Sequence, residues 1–152
     1  AYVMMDLLER EGTPDLKKYV CRLEEWVMRS LAVFDIVAER REGRVGLWVD
    51  MARYGYPAGT EHKIAAIGVR VRRWVTYHGV AVNIDPDLSH FSGIVPCGIR
   101  EHGVTSIKAL TGCDIPLKEF DAVLMNQWAG VFGDEPEALF DVNETVSSAC
   151  NA

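Results

Sequence analysis

An α+β or mixed α/β fold, with helices packed on a β-sheet, is predicted by three observations. Residues 63–84 carry the densest strand signal in the chain, with Val69, Val71, Val80, Val82 and Ile84 on one side and Arg70 and Arg72 on the other. Two segments, 14–34 and 116–132, repeat their apolar residues at three- and four-residue spacing, the period of a helix face. The order is strand, helix, short hairpin, long hairpin, irregular loop and helices, which suits layered packing rather than an all-helical or all-strand fold.

Each element has a local reason. Residues 2–7 alternate weakly and predict a strand that Gly12 interrupts. Thr13-Pro14 predicts a helix start, with threonine as cap and proline in the first turn. Leu16, Tyr19, Val20, Leu23, Trp26, Val27, Leu31 and Phe34 form its inward stripe, with Cys21 packed beside it. Two apolar runs at 35–39 and 45–49 flank Arg40, Arg41, Glu42, Gly43 and Arg44, which predicts a hairpin. Residues 50–62 read as a loop. Gly79 within the strand signal marks a bulge or a close backbone approach. Residues 85–104 lack periodicity and form an irregular segment of the kind that often carries function. Thr105 or Ser106 caps a short helix ending at Gly112, and Leu117, Phe120, Val123, Leu124, Trp128 and Val131 face inward on the last helix.

Composition narrows the function. The 152 residues suit one domain, taken as residues 1–133, and the acidic, small-residue stretch 134–152 reads as a disordered tail. A formal net charge of −6 repels phosphate backbones, so general nucleic-acid binding is not expected. No apolar run approaches the roughly 18 residues of a membrane span, and no secretory leader opens the chain, so a cytoplasmic protein is expected. Cys21, Cys97, Cys113 and Cys150 form no C-x-x-C pair, which predicts reduced thiols. Cys97, His90, His102 and Cys113 are the conceivable metal ligands, but their spacing matches no zinc pattern, and no metal is expected.

Two residues stand out chemically. Cys97 sits between Pro96 and Gly98, where a stiff and a permissive residue let the backbone approach a ligand. A nucleophilic cysteine needs a nearby positive charge to favour its thiolate, and Lys63, opening a strand, could supply one. The plainer reading of Cys97 is a small packed side chain. Arg70, Arg72 and Arg73, with Arg40, Arg41 and Arg44, form basic islands that are either solvated strand faces or docking points for an acidic partner. His78 is expected within the sheet or near a pocket.

The stretch KIAAIGVRVRRWVTYHGVAVNIDPDL, residues 63–88, together with HFSGIVPCGIREHGVTSI, residues 90–107, resembles the signature of lipoyl(octanoyl) transferases, also called lipoate-protein ligase B. Residues 1–49 are similar more weakly, and the last twenty or so are not. The resemblance implies a cofactor-free acyltransferase. Its nucleophile would be Cys97 and its activating lysine Lys63. The fatty chain would be bound by Ala66, Ile67, Gly68, Gly79, Val80 and Ala81. The fold implied is the catalytic domain shared with biotin protein ligases and lipoate ligases. The partners implied are octanoyl-acyl carrier protein as donor, and the lipoyl domains of 2-oxoacid dehydrogenases and the glycine cleavage H protein as acceptors. Family members carry an R-G-G…Y-H-G-P-G-Q segment before the region that opens this chain. An N-terminal part therefore lies outside this chain or the domain is truncated, and an inactive fragment is one alternative. The other is an ATP-dependent lipoate or biotin ligase, which activates its acid as an adenylate and needs no nucleophilic cysteine.

Overall fold

The computed structural model describes residues 1–91 and 103–134. A short helix α1 (Leu7–Glu11) precedes the long helix α2 (Leu16–Ala32). Strands β1 (Ala38–Arg41) and β2 (Arg44–Asp50) lead through a 3-10 turn, Met51–Tyr54, to β3 (Glu61–Arg72) and β4 (Val75–Val82). A second 3-10 turn, Leu88–Phe91, is followed by the two-residue β5 (Gly103–Val104), then α3 (Ile107–Thr111) and α4 (Leu117–Phe132). The sheet runs β1-β2-β3-β4, antiparallel throughout, with β5 parallel to the start of β3.

Helices cover one face of this sheet. Leu23, Val27 and Leu31 of α2, Phe120 and Leu124 of α4, and Leu47, Val49, Ile64 and Ala65 of the sheet share one apolar core. The two helices are tied by aromatic side chains. Trp26 meets Trp128 edge-on at 5.1 Å, and Trp128 stacks on Phe132 at 4.1 Å. The Trp26 indole N–H donates to the Leu124 carbonyl at 2.7 Å, so its polar atom is satisfied where water is excluded.

Several sequence expectations are corrected by the structure. Residues 1–6 are extended but form no regular strand: Tyr2 and Asp6 make isolated bridges to Gly79 and Val75 at the edge of β4, and α1 follows, capped by Asp6. The cap of α2 is Asp15, whose carboxylate accepts from Lys18 N–H, so Thr13-Pro14 lies just before the helix. Leu16 and Leu117 each open a helix, project past the edge of the core and remain 41% and 65% exposed. Cys21 lies off the α2 stripe and is exposed. The short hairpin, the long hairpin, the Ser106-capped helix and the last helix fall where expected. Of the acidic stretch 134–152, all but Asp134 lies outside the described residues.

Candidate active site

Strand alternation alone would aim Lys63 and Ala65 at the same face. The pairing of β2 with β3 prevents that. Leu47 pairs with Ala65 but the next residue, Trp48, pairs with Lys63, so Ile64 is an extra residue in β3. This is a β-bulge, a device that re-aims side chains. Ile64 and Ala65 both enter the core, and Lys63 is turned to the opposite face of the sheet. There it meets Trp48, which lies between the core residues Leu47 and Val49 and therefore also faces away from the helices.

The Lys63 side chain is only 7% exposed, and its ammonium sits 5.2 Å from the centre of the Trp48 ring. Arg44 lies over the same indole at 4.7 Å, and the indole N–H donates to the Arg44 carbonyl at 3.3 Å. Arg44 also donates to Glu61 at 2.6 Å, and Arg41 pairs with Glu61 as well. Burial alone would push the Glu61 carboxyl up, but hydrogen bonds from Arg41 and Arg44 outweigh it and hold Glu61 below its ordinary value. Gly46 completes the arrangement. Its φ is +110°, and a methyl there would lie 2.5 Å from Lys63 Cε and 2.6 Å from the Ala65 carbonyl oxygen. Lys63 thus runs across a glycine and along an indole.

The six residues expected to hold a fatty chain are three directly opposed pairs on β3 and β4: Ala66 with Ala81, Ile67 with Val80, and Gly68 with Gly79. The pairs do not share one face. Ala66 and Ala81 are exposed, and nothing lies within 4 Å of the side-chain position at Gly68, so these positions leave an open strip of minimal side chains. Ile67 and Val80 turn towards the core. A side chain at Gly79 would strike the carbonyl of Ala1 and the amide of Val3, so its smallness serves the approach of the extended N-terminal segment.

Cys97 and His102 lie outside the described residues, as does Cys150. The chain rejoins the sheet soon after them: Gly103 pairs with His62, and Val104 pairs with Lys63 itself. Among the described residues no group of three His, Cys, Asp or Glu side chains converges, and His90 is exposed near Asp87 at 3.6 Å. Reduced thiols were expected at every cysteine, but Cys113 is disulfide-bonded. Pairing follows proximity in the fold, which C-x-x-C spacing does not report. Also among the described residues, no helix is long and apolar enough to cross a membrane.

The basic islands separate. Arg40 pairs with Glu24 and Glu25, and Arg41 and Arg44 pair with Glu61. Arg70 and Arg72 are exposed and make no ion pair among the described residues. Arg73 is exposed. With Trp74 it forms the hairpin turn, both at positive φ, 52° and 66°. His78, also at positive φ, is exposed, with its ring 6.4 Å from Tyr2 and 5.5 Å from Tyr77. Sequence inspection missed Trp48, Gly46 and Glu61. The only available signal was a glycine and a tryptophan inside an apolar run.

Residues 2–129 match the model of the lipoyl protein ligase A/B catalytic domain. The chain belongs to that family. An octanoyltransferase from Paramagnetospirillum magneticum is 58% identical over 133 residues, covering 88% of this chain and 59% of that protein. One from Rhodospirillum rubrum is 56% identical over 135 residues, covering 89% and 59%. The chain therefore spans about three-fifths of the length of these family members. Among solved structures, it is similar to a bi-partite lipoate protein ligase from Thermoplasma acidophilum (TM-score 0.63, 17% identity, 90% of this chain and 51% of that one). It is also similar to the biotin protein ligase from Aquifex aeolicus in complex with biotin and ATP (TM-score 0.60, 14% identity, 87% and 48%). At those identities the likeness concerns the fold, and it is the α+β fold of helices on a sheet expected from the sequence.

Proposed function

We propose that this protein transfers an octanoyl group from acyl carrier protein to a lysine of lipoyl-bearing protein domains, through a thioester on Cys97. The observation that carries the reading is the pairing of Val104 with Lys63, because it returns the chain to the sheet beside a buried lysine only seven residues after Cys97. The octanoyltransferase names of relatives at 56–58% identity support the same reaction.

In this reading Cys97 thiolate attacks the carbonyl of the octanoyl thioester. The C–S bond to the carrier breaks, the carrier leaves as its thiol, and a second thioester forms on Cys97. An acceptor lysine amine then attacks that carbonyl, an amide forms, and Cys97 is released as thiol. Two steps of modest height replace one difficult acyl transfer. Lys63 ammonium favours the thiolate over the thiol, whose ordinary value is near ~8.5, and exchanges protons as each tetrahedral adduct collapses. Amide formation from a thioester runs downhill, so neither ATP nor a cofactor enters. Ala66, Gly68 and Ala81 form the floor for the acyl chain. Ile67 and Val80 support that floor from the core side, and Gly79 lets the N-terminal segment close against it. The acceptors are the lipoyl domains of 2-oxoacid dehydrogenases and the glycine cleavage H protein, and the compartment that fits these partners is the cytoplasm.

The test is transfer by the full-length protein from octanoyl-acyl carrier protein to a lipoyl domain, with and without ATP. Transfer independent of ATP is expected. Transfer that requires ATP and free octanoate or lipoate would replace this reading with an adenylate-forming ligase.

A further inference from the structure

We infer that Trp48 and Gly46 are positioning residues for Lys63: the indole face holds the ammonium, and the missing side chain at Gly46 leaves the track along which it lies. This rests on the reading of Lys63 as the partner of the Cys97 thiolate.

The argument starts from the cost of the arrangement. A lysine stem has four rotatable bonds and about 2 kcal/mol of rotamer entropy, and its head is strongly hydrated. Lys63 is nevertheless only 7% exposed, on the face of the sheet away from the helices. Something must replace the lost water and restrict the rotamers. Trp48 contributes to the first. It is directly opposite Lys63 in the β2–β3 register, it is itself 3% exposed, and its ring centre is 5.2 Å from the ammonium, within range of a cation–π attraction. Gly46 does the second. Two residues before Trp48 on the same face of β2, it is where an added methyl would lie 2.5 Å from Lys63 Cε, 2.6 Å from the Ala65 carbonyl oxygen and 3.2 Å from the Lys63 ammonium. The bulge at Ile64 is the third part, since without it Lys63 would turn into the core.

The charged surroundings are organised so that this lysine is the cation that matters. Arg44 shares the indole from 4.7 Å, and Arg41 lies on the neighbouring strand β1. Both are ion-paired with Glu61, two residues before Lys63 on β3. Glu61 thereby offsets the guanidinium charge that would otherwise repel the ammonium. His62, between them, faces elsewhere: it packs against Gly103 of β5 and lies 5.3 Å from the Tyr56 ring. From β5, the pairing residue Val104 brings no charge. Among the described residues, the indole is a group whose removal changes the environment of Lys63 without altering formal charge.

A π face attracts an ammonium, so its removal leaves the Lys63 head less firmly placed and slows the step that needs it. A cation–π contact corresponds to a rate loss of about two- to thirtyfold. The experiment measures Cys97 acylation from octanoyl-acyl carrier protein at one fixed pH in the full-length enzyme. It compares wild type, Trp48→Phe, Trp48→Leu and Lys63→Ala, with the alkylation rate of Cys97 by iodoacetamide as a readout independent of turnover. Trp48→Leu is expected to lower kcat roughly tenfold with KM nearly unchanged, and to slow alkylation with it. Trp48→Phe, whose π face is weaker, is expected to fall between Trp48→Leu and wild type in both respects. A folded Trp48→Leu with wild-type kcat and alkylation rate overturns the inference. If Trp48→Leu does not fold, Trp48→Phe decides alone, and wild-type rates there overturn it equally. Lys63→Ala separates the two levels of the argument. Full activity in Lys63→Ala removes the dyad itself, whereas an inactive Lys63→Ala beside unimpaired Trp48 variants removes only the positioning role.

Discussion

Two glycines on opposed strands show how one residue type serves two ends. Gly68 has open space where a side chain would be, and Gly79 has the carbonyl of Ala1 and the amide of Val3 there. Gly79→Ala should therefore displace backbone and lower stability by about 1–3 kcal/mol, read from denaturant midpoints at constant m. Gly68→Ala should stay within about 0.5 kcal/mol of wild type but raise KM for the octanoyl donor, because the added methyl stands on the proposed acyl floor. Unchanged KM in Gly68→Ala would take that residue out of the substrate site. Glu61 gives a pH signature at the same scale. Its carboxyl is held below the ordinary value, so the stability it contributes is present above the unfolded value of about 4.3 and is lost as pH falls through the folded one. The stability gap between wild type and Glu61→Gln should accordingly be full near neutral pH and close in acid. A gap that persists unchanged at pH 2–3 would assign Glu61 a role other than its ion pairs.

The hairpin of β3 and β4 joins site, turn and surface in one element. Its turn is made by Arg73 and Trp74, both at positive φ without being glycine, a conformation costing roughly 1–2 kcal/mol per residue. Arg73→Asn with Trp74→Gly supplies the residues such two-residue turns prefer and should raise the melting temperature. No gain would mean that the 43%-exposed Trp74 contributes packing that offsets the strain. Along the open face beyond Gly68, Arg70 and Arg72 are exposed without ion pairs among the described residues, while Arg40, Arg41 and Arg44 are matched by glutamates. On a chain with net charge −6, an acidic carrier protein would be repelled except at such a patch. Charge reversal at Arg70 and Arg72 should slow transfer from carrier protein and spare a small neutral octanoyl thioester. Equal losses on both donors would mean that the arginines support the fold. The strand period made Arg70 and Arg72 legible as a solvent face from the sequence. It could not show that Arg40, Arg41 and Arg44 were already paired, because Glu61 and Glu24 reach them only through the fold.

At the scale of the whole molecule, periodicity identified the sheet and both long helices, because each buries one continuous apolar face. Helix starts moved by a residue or two, since Asp15 competes with Thr13 for the same capping role. The orientation of Lys63 was not legible at all. It depends on a one-residue mismatch between β2 and β3, and a bulge leaves no signature in the alternation of a strand already rich in small residues. Resemblance named Lys63 and Cys97, but only the register and the return of β5 bring the chain beyond Cys97 back beside Lys63. Exposed charges are screened over about 8–10 Å at physiological salt, so transfer from carrier protein should weaken as salt rises, while transfer from the neutral donor holds. The central claim, a thioester on Cys97 formed with the help of Lys63, is tested most directly by peptide mass spectrometry of the full-length protein after incubation with octanoyl-acyl carrier protein. The account predicts a hydroxylamine-labile octanoyl group on Cys97, absent from Cys97→Ser and formed at least a hundredfold more slowly in Lys63→Ala. A hydroxylamine-labile octanoyl group that persists elsewhere in Cys97→Ser, or acylation at the wild-type rate in Lys63→Ala, would contradict it.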